Sequence, residues 1–218
     1  PLPKLIPLEA YVMIGYVSIE EPPARVILLL VSHNHGSLLP TIRSRCRMLS
    51  LSSLNQDIVV KLLLQHYPEM PTGDAMSLAN LSEGSIGRAL DLEAEGGLQL
   101  YSDLLSLLET LPHLNVTALH ALAGKLGRVG GDNSFYTFGD LLMGWLGRFI
   151  LFSIKGVEGA NSNETILNER LSTNAPLASW LEVWDKVTYL LARTDAINMD
   201  RRQIIISIFL LLEKTVQE

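Results

Sequence analysis

The sequence predicts a mostly α-helical protein. A short α/β portion comes first, then a small helical bundle, then a larger all-helical domain. Three observations carry this. One apolar run, Val26 to Val31, is short and rich in branched side chains and ends in a polar cluster, as a buried strand does. From Ser52 onward, apolar residues recur at helical spacing behind residues that cap helices. An apolar content of 48% with 18% charged residues describes a packed chain rather than a disordered one.

Residues 1–19 are apolar but interrupted by Pro3, Lys4, Pro7 and Glu9. They lack a clean apolar stretch with a small-residue cleavage site, so a signal peptide is not expected. Pro22 and Pro23 can neither continue a helix nor sit in a central strand, so they punctuate. The strand follows from about Arg25. Its polar end is Ser32-His33-Asn34-His35-Gly36, and such ends are where open α/β sheets place ligand chemistry. Pro40 biases Leu39 away from helix, and Thr41 is placed to cap a short turn holding Arg43 and Arg45. Cys46 to Leu51 alternates apolar and polar and is a candidate last strand.

Beyond Ser52 the expected elements are helices. Ser53 or Asn55 caps one through His66, and Tyr67 to Pro71 ends it. Thr72-Gly73-Asp74 opens a second. Gly84 closes that one in a left-handed cap, and Ser85 caps a third, Ile86 to Glu95. Gly96-Gly97 then breaks the chain. Further helices are expected at residues 98–110, 115–129, 134–154, 176–194 and 198–215, while residues 161–174 read as a loop or a short helix. The last helix is apolar nearly all round, which requires burial on several sides. Trp180 and Trp184 lie four apart on one helical face and read as core.

Bulk properties narrow the function classes. The net charge is −6, so no polybasic nucleic-acid surface is indicated. The single cysteine, Cys46, excludes an internal disulfide and any multi-cysteine zinc site, which fits a reducing cytoplasm. The apolar stretches 141–154 (broken by Arg148) and 204–212 fall short of the roughly 20 residues of a membrane span and read as core helices. His33 and His35 would face one side of a strand, but no cysteine or acidic cluster accompanies them, so no metal site is expected. His66, His113 and His120 form no constellation. Neither a phosphate-cradling G-x-x-x-x-G-K-[ST] loop nor an acidic Walker B cluster is present.

The order Glu20-Glu21-Pro22-Pro23, a strand ending at Ser32, then Leu39-Pro40-Thr41-Ile42-Arg43-Ser44-Arg45-Cys46 resembles the clamp-loader branch of the AAA+ ATPases. Within that branch, Gly87 in Gly84-Ser85-Ile86-Gly87-Arg88 stands where ATPase members offer the sensor-2 arginine. This variant resembles the bacterial delta-prime family of DNA polymerase III, whose members do not hydrolyse ATP themselves. Thr194 to Asp200 resembles the same family's approach to its last helix.

The resemblance implies a domain order. Residues 1–51 would be a truncated AAA+ remnant with an atypical leader at 1–19, residues 52–96 a helical lid, and residues 97–218 a helical collar for oligomerisation. Truncation, an upstream frame error, a foreign leader or a natural N-terminus would each account for the leader.

It also implies roles. Ser44-Arg45-Cys46 is the motif in which Arg45 is an arginine finger reaching ATP on a neighbouring subunit, and Ser32 is the sensor-1 position. No cofactor would be bound by this chain itself. The implied partners are the gamma/tau and delta subunits, with the sliding clamp and primed DNA reached through the complex, in the cytoplasm and without a membrane. The alternative for Arg45 is an ordinary surface ion pair. Arg88 lies about 100° around its helix from Gly87 and reads as a surface or lid-packing residue. Two other functions stay open: a gamma/tau-type or replication-factor-C-type loader ATPase, and a helical interaction protein without an AAA+ role.

Overall fold

The computed structural model describes residues 29–32, 36, 38–127, 133–156, 162–194 and 199–217. The chain divides into two units, Pro1–Ser52 and Ser53–Glu218. Among the described residues all extended regular structure is helical, in ten helices.

Among the described residues of the first unit the helix is α1, Pro40–Arg45. Proline suits its first turn because that N–H would lack a helical partner anyway. Thr41, expected as the cap, therefore lies inside the helix. Leu39 is the N-cap and makes no side-chain cap bond.

The expected strand at 26–31 is not formed over its described residues. Residues 26–28 lie outside the described residues, and residues 29–31 are irregular, with Leu29 76% and Val31 64% exposed. Residues 46–51 are not a strand either, and Leu49 and Leu51 are exposed. A strand needs partners for its backbone N–H and C=O groups and cover for its faces. No described residue forms a strand beside these, so local apolarity has no ladder to join.

The second unit is a helical assembly. Its helices are α2 (Gln56–His66), α3 (Thr72–Leu81), α4 (Ile86–Ala94), α5 (Gly97–Glu109), α6 (Val116–Leu126), α7 (Ser134–Lys155), α8 (Ser162–Ser172), α9 (Leu177–Arg193) and α10 (Arg201–Gln217). Caps set several starts. Ser85 Oγ accepts from the Arg88 amide at 3.3 Å, and Asn115 Oδ1 from the Ala118 amide at 3.1 Å. Asp200 Oδ1 accepts from the Arg202 amide at 2.9 Å at the start of α10. Residues 162–172, polar in sequence, form a full helix because Glu164, Leu167, Asn168 and Leu171 are buried on one face.

Helices α2, α3 and α4 pack on one another, and α3 and α4 continue onto α5. Helix α7 lies between α5 and α9, and α10 packs on α6 and α9. Trp145, Phe149 and Trp180 form an aromatic knot, with Phe149 and Trp180 ring centres 4.4 Å apart. Trp180 is core as expected, while Trp184 is half-buried. Helix α9 comes close to α7 at Gly139 and Gly147, where an added Cβ would lie 3.3 Å from Leu191 and 3.2 Å from Trp184. Helix α7 is long and apolar enough to cross a membrane, but Phe138, Leu142, Trp145 and Phe149 are buried in the bundle.

Candidate functional site

The motif residues sit at the end of α1. The helix stops after Arg45 because Cys46 turns to an extended conformation, φ −106° and ψ 138°, while its amide still donates to the Ile42 carbonyl at 3.1 Å. Ser44 Oγ donates to the Thr41 carbonyl at 3.1 Å, and Arg45 Nη1 donates to the same carbonyl at 3.1 Å. Two side chains thus converge on one carbonyl and tie the last turn together.

Arg45 is exposed, as are Ser44 and Cys46. Its guanidinium carries five N–H donors in a planar fork, of which the Thr41 carbonyl takes one. Cys46 is a free, exposed thiol. Ser32 is exposed in an irregular segment. His33 and His35 lie outside the described residues. Among the described residues no group of His, Cys, Asp or Glu could hold a metal ion.

At Gly87 an added Cβ would meet only Ser85 Oγ, at 4.0 Å. A larger side chain therefore has room there, and what glycine withholds is charge. Arg88 pairs with Glu83 at 3.5 Å and is partly exposed.

A second constellation, barely signalled by residue pattern, lies inside the helical unit. Arg148, on apolar α7, donates from Nε to Glu164 Oε1 at 2.8 Å and from Nη2 to Oε2 at 3.3 Å. The same Nη2 donates to the Tyr101 hydroxyl at 3.3 Å, and the hydroxyl donates to Glu164. Nη1 reaches Glu83 at 3.8 Å.

Glu164 is fully buried, so its carboxylate depends on these donors. Burial, and then the neighbouring Glu164 charge, push the Tyr101 phenol above its ordinary range. Burial alone would lower the Arg148 pKa, but the hydrogen bond and charge of Glu164 outweigh it and hold the guanidinium above its usual value. This network braces α5, α7 and α8. It contains no nucleophile or open reaction space. The one sequence signal for it was a lone arginine interrupting an apolar helix. A cleft of about 380 Å³ between α5 and α6 is crossed by the Lys125–Asp103 pair at 3.4 Å and gathers no catalytic set.

A family model described as "DNA polymerase III, delta subunit" matches residues 17–55, which include Ser32, Ser44, Arg45 and Cys46. A curated relative, "DNA polymerase III subunit delta'" from Pseudomonas aeruginosa, is 35% identical over 79 residues. Over this part the chain is similar to DNA polymerase III delta' subunits. The match to the Pseudomonas delta' subunit covers 36% of this chain and 24% of that relative. The family-model match falls on the stretch that carries α1 and its terminal arginine.

Proposed function

We propose that this chain is an assembly subunit of a DNA polymerase III clamp loader that donates Arg45 in trans to ATP on a neighbouring subunit. The observation that carries this is an exposed arginine ending a short helix within the family-matched segment. ATP hydrolysis builds negative charge on the transferring phosphoryl group, and a positioned guanidinium stabilises it. Ser44 holds the last helical turn, and Cys46 redirects the chain without adding bulk. Ser32 takes the sensor-1 position.

In this reading residues 1–51 belong to an AAA+ portion, 52–96 form the lid and 97–218 the collar. The partners are gamma/tau and delta subunits in the cytoplasm, with the clamp and primed DNA engaged through the complex. A finger supplied from outside makes hydrolysis conditional on correct assembly. Gly87 supports a donor role rather than a nucleotide-hydrolysing one, because its exposed position offers no cation.

The test is reconstitution with the other loader subunits. Arg45→Ala should enter the complex normally on size exclusion and slow its ATP turnover. Normal assembly with unaltered turnover would remove the finger.

A further inference from the structure

We propose that Arg88 and Arg148 form an oxyanion site over Gly144, which takes a phosphate or a phosphomonoester in place of the Glu83 carboxylate. The site lies wholly within the helical unit and is independent of the role given to Arg45. Arg88 comes from the first turn of α4, and Arg148 from the second half of α7. Their guanidiniums converge on one point. A Cβ added at Gly144 would lie 3.4 Å from Arg88 Nη2 and 3.3 Å from Arg148 Nη1. Glycine one turn before Arg148 is what leaves that space open. Neither guanidinium gives up its proton in a protein, so two like charges meet here and favour an anion between them.

Glu83 supplies an anion, but holds it loosely. Its carboxylate is 3.5 Å from Arg88 and 3.8 Å from Arg148, beyond the roughly 2.7–2.9 Å of a charge-assisted hydrogen bond. The Glu83 side chain is 54% exposed. Its backbone is left-handed, φ 53°, and among the described residues no other non-glycine is. A glutamate adopts that conformation at a cost, and such residues gather at ligand clamps. Arg148 is fixed on its other edge, where Nε and Nη2 donate to buried Glu164 and Nη2 also to the Tyr101 hydroxyl. Nη1 is left to face the site. With Glu83 turned to solvent, Glu164 still balances Arg148, and Arg88 stands uncompensated. A tetrahedral oxyanion offers three or more acceptor oxygens and can meet both guanidiniums at short distance, which the tethered carboxylate does not.

NMR titration of the full chain with inorganic phosphate and with methyl phosphate tests the site, read at the Gly144 and Arg88 amides and at Arg148 Nε–H. Ionic strength is held constant because exposed charges are screened by salt. These signals should shift and saturate with phosphate and stay in place with chloride. Glu83→Gln removes the competing carboxylate and should tighten binding by about tenfold, and Arg88→Ala should weaken it by about tenfold or more. Neither change touches the buried Arg148–Glu164 pair. Gly144→Ala fills the floor of the site and should also weaken binding, which keeps the test decisive if Arg88→Ala disturbs α4. Methyl phosphate binding as well as inorganic phosphate or better identifies a phosphomonoester as the ligand, and its exclusion identifies free phosphate; either result upholds the site. No saturable shift with either anion, or parental affinity in both Glu83→Gln and Arg88→Ala, overturns it.

Discussion

Replacing Arg148 with methionine would leave the Glu164 carboxylate buried beside Tyr101 without its cation. Removing one partner of a buried pair costs about 3–5 kcal/mol, far more than removing an exposed one. Denaturant unfolding of Arg148→Met should show a loss of that order. The double change Arg148→Met with Glu164→Gln should recover part of it, because no charge remains buried. Tyr101 adds a pH dependence. Its folded pKa lies above the unfolded value of about 10, so the folded protein holds a proton that the unfolded chain releases at high pH. The stabilisation is fully present below pH about 10 and is lost as pH rises beyond it. Melting temperature should therefore fall steeply at alkaline pH, and Tyr101→Phe should flatten that fall. An equal slope in both proteins would show that the phenol is not the titrating group.

At the scale of elements, caps decide where several helices begin. Ser85→Ala and Asn115→Ala each remove a side-chain acceptor from a first-turn amide, and each should cost about 1 kcal/mol in chemical denaturation. The Ser85 cap was legible in the sequence, as were the helices that start at these two positions, because such signals lie within a few residues of one another. Helix α8 was not fully legible. Its surface is polar, and only contacts with α5 and α7 show which face is buried. The expected strand at 26–31 is not formed over its described residues, 29–31, for the opposite reason. Its apolar pattern was local, but a sheet needs partners from elsewhere in a chain. At α1 the sequence signals competed, and Pro40 at the first helical position won over Thr41 as a cap. The motif around Arg45 was readable as an ordered string of residue types. The Arg148 network was not, because its partners lie 16 and 47 residues away with no shared periodicity.

At the scale of the whole molecule, the chain joins a motif-bearing unit, Pro1–Ser52, to a helical unit, Ser53–Glu218. The helical unit has an extensive core, with Trp145, Trp180, Phe138 and Phe209 essentially fully buried. The first unit presents Arg45 at its surface. The proposed division of labour follows: the helices hold the subunit in an assembly, and one guanidinium acts on a neighbour. Lysine at position 45 would keep the charge but lose the planar fork, so it should restore only part of the function.

The most direct measurement is the steady-state ATP hydrolysis rate of reconstituted loaders carrying arginine, lysine or alanine at position 45, each verified as fully assembled. The expected order is arginine above lysine above alanine, with alanine slower by about tenfold or more. Equal rates from all three would contradict the role given to Arg45.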